Sequence, residues 1–134
     1  MVDSRPEDLS LEQIEESRWG DPPPDATHLV ATAYRLRRIP LRELTPEDLR
    51  LLLGQREGLA VLVPRALTLL EEDPLLEGDL YPGDVLSAVL RVPDSRWSAR
   101  PTERARLERI AGAVEAPDAD LRADIEDFRG RTGG

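Results

Sequence analysis

The 134-residue sequence contains no cysteine, no lysine and a single histidine, His28. Without cysteine the chain can form neither a disulfide framework nor a thiolate metal site, and it has no cysteine nucleophile. One histidine cannot supply the pair of ligands that an HExxH zinc site needs, and the sequence has no GxSxG elbow and no Walker glycine loop. We therefore predict that the protein is not an enzyme and that it binds no metal and no cofactor.

Long apolar runs and aromatic residues are also scarce. No stretch approaches the ~20 apolar residues that span a bilayer, and the first ten residues, MVDSRPEDLS, are too polar for a secretory signal. We expect a cytoplasmic protein with no membrane partner. One Phe, two Tyr and two Trp leave a core that has to be aliphatic. Because helix formers dominate and β-branched runs are few, the sequence predicts an all-α fold, a compact single-domain bundle of about six to seven helices.

Acidic residues outnumber basic ones, 27 to 18, so the net charge is −9. This balance disfavours binding to a nucleic-acid backbone, which needs clustered cations, and no motif indicates a small-molecule substrate. It favours association with a basic protein partner. The excess acid is concentrated in residues 1–24 and 57–97, whereas residues 25–56 are slightly basic.

Helix-start and helix-stop signals divide the chain into three parts. Residues 1–24 are predicted to form a helix and a proline-rich flap, residues 25–128 a helical core, and residues 129–134 a disordered tail. In the first part, the helix begins at Ser10 and ends near Trp19, which pins the flap.

The clearest helix start is TPEDLR, where Thr45 caps, Pro46 takes the first helical position and two acids face the positive end of the helix dipole. Gly54 or Gly58 is expected to end this helix with a left-handed cap. The next helix, to about residue 73, is apolar over more than half its circumference, so we expect it at the centre of the fold. Pro64 is expected to kink that helix or to lie in its first turn.

Three later segments have narrower apolar faces at helical spacing. Each face is typical of a helix that packs one side on a core. The faces are Val85, Leu86, Val89 and Leu90; then Leu107, Ile110, Ala111 and Val114; then Leu121, Ile125 and Phe128.

The acidic loop, residues 77–84 with the sequence EGDLYPGD, is the best candidate site. It places Glu77, Asp79, Asp84 and Tyr81 within eight residues, together with two glycines. One interpretation is a structured turn, in which the glycines supply positive φ and Tyr81 packs its ring. A second is a calcium loop, although the 12-residue EF-hand pattern is missing. A third is a recognition loop for a basic protein surface.

An ordered set of motifs across residues 11–97 resembles the immunity proteins of contact-dependent growth inhibition systems. Ile14, Glu15, Trp19 and residues 29–37 fit the opening of the family pattern. The set continues with LRELTPEDLRLLLGQ at residues 41–55 and VPRAL at residues 63–67. The acidic loop and Trp97 complete it. The C-terminal sequence beyond Trp97 departs from the family pattern.

The resemblance implies a small helical cytoplasmic protein that binds the C-terminal toxin domain of a large secreted effector and blocks its active site. Such toxins are commonly nucleases, whose active face is basic because it holds nucleic acid. An acidic inhibitor can mimic the phosphates and associate quickly through electrostatic steering. The predicted partner-binding residues are the acids near the shared motifs, with one tyrosine as an aromatic anchor: Glu71, Glu72, Asp73, Glu77, Asp79, Tyr81 and Asp84.

Two other functions remain open on the sequence alone. One is an acidic helical adaptor or secretion chaperone for a basic client protein, which the same net charge would serve. The other is an enzyme that uses a pair of carboxylates, since acids are abundant. The immunity-protein interpretation is preferred because it accounts for the motif order as well as the acidity.

Overall fold

A computed structural model describes residues 6–132, which form eight α-helices and two short 3-10 turns, with no β-strand in that range. The all-α prediction is confirmed. The eight helices exceed the predicted six to seven, since the count includes two short helices, α1 with four residues and α6 with six. The helices are α1 Leu11–Ile14, α2 His28–Leu36, α3 Pro46–Gly54, α4 Leu59–Glu72, α5 Asp84–Leu90, α6 Asp94–Ala99, α7 Pro101–Ala113 and α8 Ala119–Thr132.

The centre of the fold is α5, in which all seven residues are buried. It packs between α3 and α8 and also contacts α4. Because α5 has neighbours on several sides, even Ser87 and Ala88, which lie off its predicted apolar face, are only 2% and 9% exposed. The longer helix α4 was expected in this place, yet it buries only one face, against α3, α5 and α7.

Pro64 does not interrupt α4, which runs unbroken and places the proline beyond its first turn. Proline has no N–H to donate to the carbonyl of Ala60, four residues earlier. Ala60 lies on the exposed side of the helix, where water can satisfy that carbonyl. The carbonyl of Pro64 itself accepts a hydrogen bond from Thr68 Oγ1 at 3.1 Å.

The helix starts predicted at Ser10 and Thr45 are confirmed as reciprocal capping boxes. Ser10 Oγ accepts from the Gln13 N–H at 3.2 Å, and Gln13 Oε1 accepts from the Ser10 N–H at 2.9 Å. Thr45 Oγ1 accepts from the Asp48 N–H at 3.1 Å, and Asp48 Oδ2 accepts from the Thr45 N–H at 3.0 Å. Each pair satisfies two N–H groups that the helix itself leaves without an acceptor.

The first helix is shorter than predicted, because α1 ends well before Trp19 and the chain turns at Glu16, whose φ is +52°. The segment that follows is held by Arg37, whose side chain is 3% exposed. Its guanidinium lies 4.3 Å from the centroid of the Trp19 ring, and Nη1 donates to Glu15 Oε1 at 2.7 Å. The residues after α1 are therefore anchored on the end of α2.

The C-terminal helix α8 closes the bundle against α5. Its predicted apolar residues, Leu121, Ile125 and Phe128, are all buried. The Phe128 ring meets the buried Trp97 ring edge-on, with 6.3 Å between centroids. Part of the core is therefore built by sequence beyond the segment that carries the family resemblance.

Residues 129–132, the first part of the predicted disordered tail, are helical. Arg131 explains this extension, because its Nη2 donates to the Leu90 carbonyl at 2.6 Å and ties the end of α8 to the end of α5. The rest of that tail, residues 133–134, and the predicted loose N-terminus, residues 1–5, lie outside the described part of the chain. Across residues 6–132 no helix combines the length and the apolarity needed to cross a bilayer.

Candidate functional site

Asp84, the first residue of α5, folds the acidic loop back on the helix. Its side chain is 1% exposed, and Oδ1 accepts from the Gly78 N–H at 2.6 Å. Oδ2 accepts from the Leu80 N–H at 2.9 Å, and Arg50 Nε lies 3.8 Å from the same oxygen. Although the sequence places Asp84 among the partner-binding candidates, its buried carboxylate serves the loop's own backbone and does not reach the surface.

Glu47 in the first turn of α3 holds the loop from the other side. Its Oε1 accepts from the Asp79 N–H at 2.8 Å and from Arg50 Nε at 2.7 Å. The hydrogen bonds from Arg50 are the main cause that lowers the pKa of Glu47 below its ordinary value; partial burial opposes them. The backbone N–H groups of residues 78, 79 and 80 therefore all donate to carboxylates, those of Glu47 in α3 and Asp84 in α5. The loop is a structured turn, as the first interpretation predicts.

Both glycines of the loop meet neighbours that leave no room for a side chain. Gly83 has φ +88°, and a Cβ on it would lie 2.5 Å from Leu121 Cδ2. A Cβ on Gly78 would lie 2.6 Å from Glu47 Oε1 and 3.1 Å from Glu47 Cα. Glycine is the residue that permits such close approach and such a φ. Positive φ was predicted for both glycines, but only Gly83 adopts it. These two positions therefore serve the geometry of the loop.

The outward part of the loop consists of Glu77, Asp79 and Leu80. Both carboxylates are exposed, and neither makes a hydrogen bond or an ion pair within residues 6–132. Leu80 is 61% exposed. Tyr81, the predicted aromatic anchor, is half buried and packs against the core. The apolar group that the loop offers is thus Leu80, which sequence reasoning missed because nothing local distinguishes the orientations of two adjacent apolar side chains.

The other three predicted acids are exposed around the C-terminal end of α4. Glu71 accepts two hydrogen bonds from Arg106 of α7, at 2.7 and 3.0 Å, and these bonds lower its pKa. Asp73 Oδ1 accepts from the Leu75 N–H at 3.2 Å. Glu72 makes no ion pair or hydrogen bond in the described part of the chain. The predicted acids therefore form two groups, one on the loop and one at the end of α4.

No three His, Asp or Glu side chains of residues 6–132 are grouped so that they could hold a metal ion. Within the acidic loop, both oxygens of Asp84 already accept from backbone N–H groups. The single histidine, His28, is exposed at the first position of α2.

Low pH should destabilise the fold, because it protonates Glu47. Because Arg50 lowers the pKa of Glu47 from 4.5, the unfolded chain binds this proton more readily than the folded protein does. The stabilisation is complete above the unfolded pKa and is lost as the pH falls through the folded pKa. We expect Glu47→Gln to flatten the decline of unfolding free energy below about pH 4.5, measured by urea unfolding at a series of pH values. Identical slopes in the variant and the wild type would contradict the assignment.

The comparison with known families covers the loop and the residues that hold it. The sequence profile of one family, described as CDI immunity proteins, matches residues 13–107, well over half of the chain. This range contains Glu47, the whole acidic loop and Asp84, whereas α8 lies outside it. The prediction that the chain departs from the family directly after Trp97 is wrong, because the match continues to residue 107. A search of curated proteins found no match. The chain therefore belongs to the family of CDI immunity proteins.

Proposed function

We propose that this chain neutralises a nuclease toxin by binding the toxin's C-terminal domain and covering its active site with acidic side chains. Membership of the family gives the general role, neutralisation of a toxin protein. The observation that carries the finer proposal is the outward part of the acidic loop. There Glu77 and Asp79 precede the exposed Leu80, and neither acid has an ion pair within residues 6–132.

The charge of the loop suits the active face of a nuclease. Such a face is basic because it holds a phosphate backbone. Carboxylates that form no internal ion pair attract that face over a distance, and the attraction raises the association rate at low salt. An inhibitor that places these carboxylates where phosphates bind also excludes the substrate. The proposed action therefore requires binding but no catalysis by this chain.

Leu80 supplies what charge alone does not. Its exposed side chain can enter an apolar depression on the toxin, and buried apolar anchors at an interface centre carry much of the binding energy. The neighbouring acids then lie at the rim of the interface, where they set the orientation of the complex and its association rate. We propose Leu80 as the central contact of the loop, with Glu77 and Asp79 beside it.

Glu72 is the strongest candidate of the second acidic group. It lies in the last turn of α4, where the negative end of the helix dipole disfavours a carboxylate. No cation pairs with Glu72 within the described residues. No interaction inside the fold therefore offsets the unfavourable position of this carboxylate. Glu71 and Asp73 contribute less to binding in this proposal, because Arg106 and a backbone N–H already occupy their oxygens.

Co-expression with the neighbouring toxin-like gene tests the proposal. The wild-type protein should restore growth when that gene is induced, and the purified toxin domain should degrade nucleic acid until this protein is added. The double variant Glu77→Arg with Asp79→Arg should lower the association rate about tenfold at low salt. A folded protein that neither restores growth nor forms a complex on gel filtration would refute the proposal.

A matched control separates the loop from the net charge. Glu115 and Glu126 are exposed and have no ion pair in residues 6–132, so their double replacement by arginine changes the net charge by the same amount. This control should keep an association rate within about twofold of the wild type. Equal slowing by both double variants would assign the effect to net charge and remove the loop from the interface. An adaptor or chaperone would give a complex without protection against the toxin.

A further inference from the structure

A small polar pocket lies beside the acidic loop, between α3 and α5. Its volume is about 210 Å³, and Arg50, Arg56 and Arg91 line it together with Tyr81 and Leu80. One carboxylate, that of Asp84, belongs to the lining as well. Three guanidinium groups around one depression form a basic site in a chain whose net charge is −9. We refer to this depression as the arginine pocket.

The arginines keep hydrogen-bond donors that no internal group uses. Arg50 donates from Nε and Nη2 to Glu47, and Arg91 donates from Nε to Asp124 at 3.0 Å. A guanidinium carries five N–H donors, so each of these two keeps free ones. Arg56 makes no ion pair and no side-chain hydrogen bond within residues 6–132. The charge that remains uncompensated in the pocket is therefore that of Arg56.

Ser87 adds a buried polar residue to the lining of the pocket. It lines the pocket from α5 and is 2% exposed. Its Oγ is buried and has no hydrogen-bond partner. A buried hydroxyl without a partner is unfavourable, and native proteins rarely leave one unless a ligand or water meets it.

Arg56 occupies a backbone position that favours glycine. The Arg56 N–H bonds to the Leu53 carbonyl at 3.0 Å and the Glu57 N–H to the Leu52 carbonyl at 2.9 Å, which is the Schellman end of α3. Arg56 has φ +58°, where a side chain is strained and glycine is not. The side chain is therefore present at a conformational cost that the fold does not require.

We infer that the arginine pocket receives a single carboxylate, the side chain of an Asp or Glu residue that the toxin inserts beside Leu80. This inference rests on the proposed function. Arginine N–H groups donate, and arginines pair with carboxylates in a fixed geometry. The volume is below the roughly 300 Å³ at which pockets for small-molecule ligands begin, so one side chain fits better than a nucleotide.

The rim of the pocket favours a protein as the source of that carboxylate. Leu80 lines the pocket and is also the exposed apolar residue of the acidic loop. An apolar contact next to a desolvated charge pair is typical of protein interfaces. The interface then contains two ionic contacts of opposite sign. Cations of the toxin contact the acidic loop, and a carboxylate of the toxin enters the arginine pocket. Opposed signs at neighbouring points fix one orientation of the complex.

Arg56→Gly is the decisive variant, because it removes the guanidinium and leaves a residue that suits the backbone. Its thermal unfolding midpoint should be equal to or higher than that of the wild type. Its Kd for the toxin domain should rise about tenfold or more, since a paired interface charge is lost. Arg91→Gln should weaken binding in the same direction. Arg129→Gln, which removes an exposed arginine of α8 without an ion pair, should leave the Kd unchanged.

The outcomes separate this inference from the proposed function. If the wild type protects against the toxin and Arg56→Gly binds it with the wild-type Kd, the inference is overturned and the function stands. If the wild type does not bind the toxin, both fall. Inorganic phosphate at constant ionic strength supplies the second readout, and it should compete with the toxin for the wild type. A phosphate-dependent shift of the Ser87 amide resonance without any effect on toxin binding would assign the pocket to a free anion and overturn the inference.

Discussion

Asp84→Ala should lower the free energy of unfolding by about 3 kcal/mol, because the carboxylate accepts two short hydrogen bonds and each bond to a charged group contributes about 1.5 to 3 kcal/mol. The donors are the N–H groups of Gly78 and Leu80, at 2.6 and 2.9 Å. After the substitution both amides lose their acceptor, and Arg50 loses a nearby negative charge. Urea unfolding monitored by circular dichroism measures the difference.

Two further variants define what the Asp84 result means. Asp79→Ala removes an exposed carboxylate of the same loop and should change the stability by less than about 0.5 kcal/mol. Asp84→Asn keeps one acceptor oxygen and should lose roughly half as much stability as Asp84→Ala. An Asp84→Ala protein that unfolds at the wild-type urea concentration would show that the buried carboxylate does not hold the loop.

Arg37→Ala should cost about 3 kcal/mol, the lower end of the range for breaking a buried ion pair. The side chain of Arg37 is 3% exposed and meets Glu15 at 2.7 Å and Glu57 at 3.6 Å. The lower end applies because both glutamates keep some contact with water. The variant also loses the cation above the Trp19 ring, so the flap after α1 should detach and the fluorescence of Trp19 should shift to longer wavelength.

The pH dependence of Arg37→Ala provides a second measurement. Burial already raises the pKa of Glu57, and Arg37 opposes this rise. Without the arginine the folded pKa increases further, so the folded protein takes up a proton more readily than the unfolded chain. The stability deficit should therefore shrink as the pH falls through that raised pKa.

Arg38→Ala is the matched control for the neighbouring position. Arg38 is about half exposed, and its carboxylate partners Glu12 and Asp21 lie 3.7 Å away. Exposed pairs of this kind contribute up to about 1 kcal/mol, so the loss should be clearly smaller. Equal losses for the two variants would contradict the structural role assigned to Arg37.

Features that depend on one helical turn could be predicted from the sequence. The capping box at Thr45 requires only the residues from Thr45 to Asp48, and the structure contains it. The apolar spacing of Leu121, Ile125 and Phe128 likewise fixes the buried face of α8, whatever it packs against. Such signals are local because helix geometry alone brings the interacting groups together.

Features that depend on distant partners could not be predicted. Glu47 and the Asp79 N–H are 32 residues apart, and nothing around either residue indicates the other. The same holds for Asp84, which its local sequence describes only as an acid at a helix start. The left-handed end of α3 was expected at a glycine, Gly54 or Gly58, but it lies at Arg56, because the cap position follows from where the helix ends.

The arginine pocket shows the same limit for the candidate site. Its three arginines come from the middle of α3, the end of α3 and the end of α5, and only the packing of α3 against α5 brings them together. Along the chain they read as isolated cations in an acidic protein. The acidic loop is recognisable because its residues are contiguous, whereas the pocket beside it is not.

The hydrogen bonds from three loop N–H groups to Glu47 and Asp84 affect how fast the protein can bind its partner. Those amides can exchange with deuterated solvent only when α3 or α5 releases the loop, so they should be protected together with the core helices and unlike an ordinary surface loop. A segment ordered before it meets its partner loses little conformational entropy in the complex. The encounter is then limited by diffusion and charge, with no waiting time for the loop to fold.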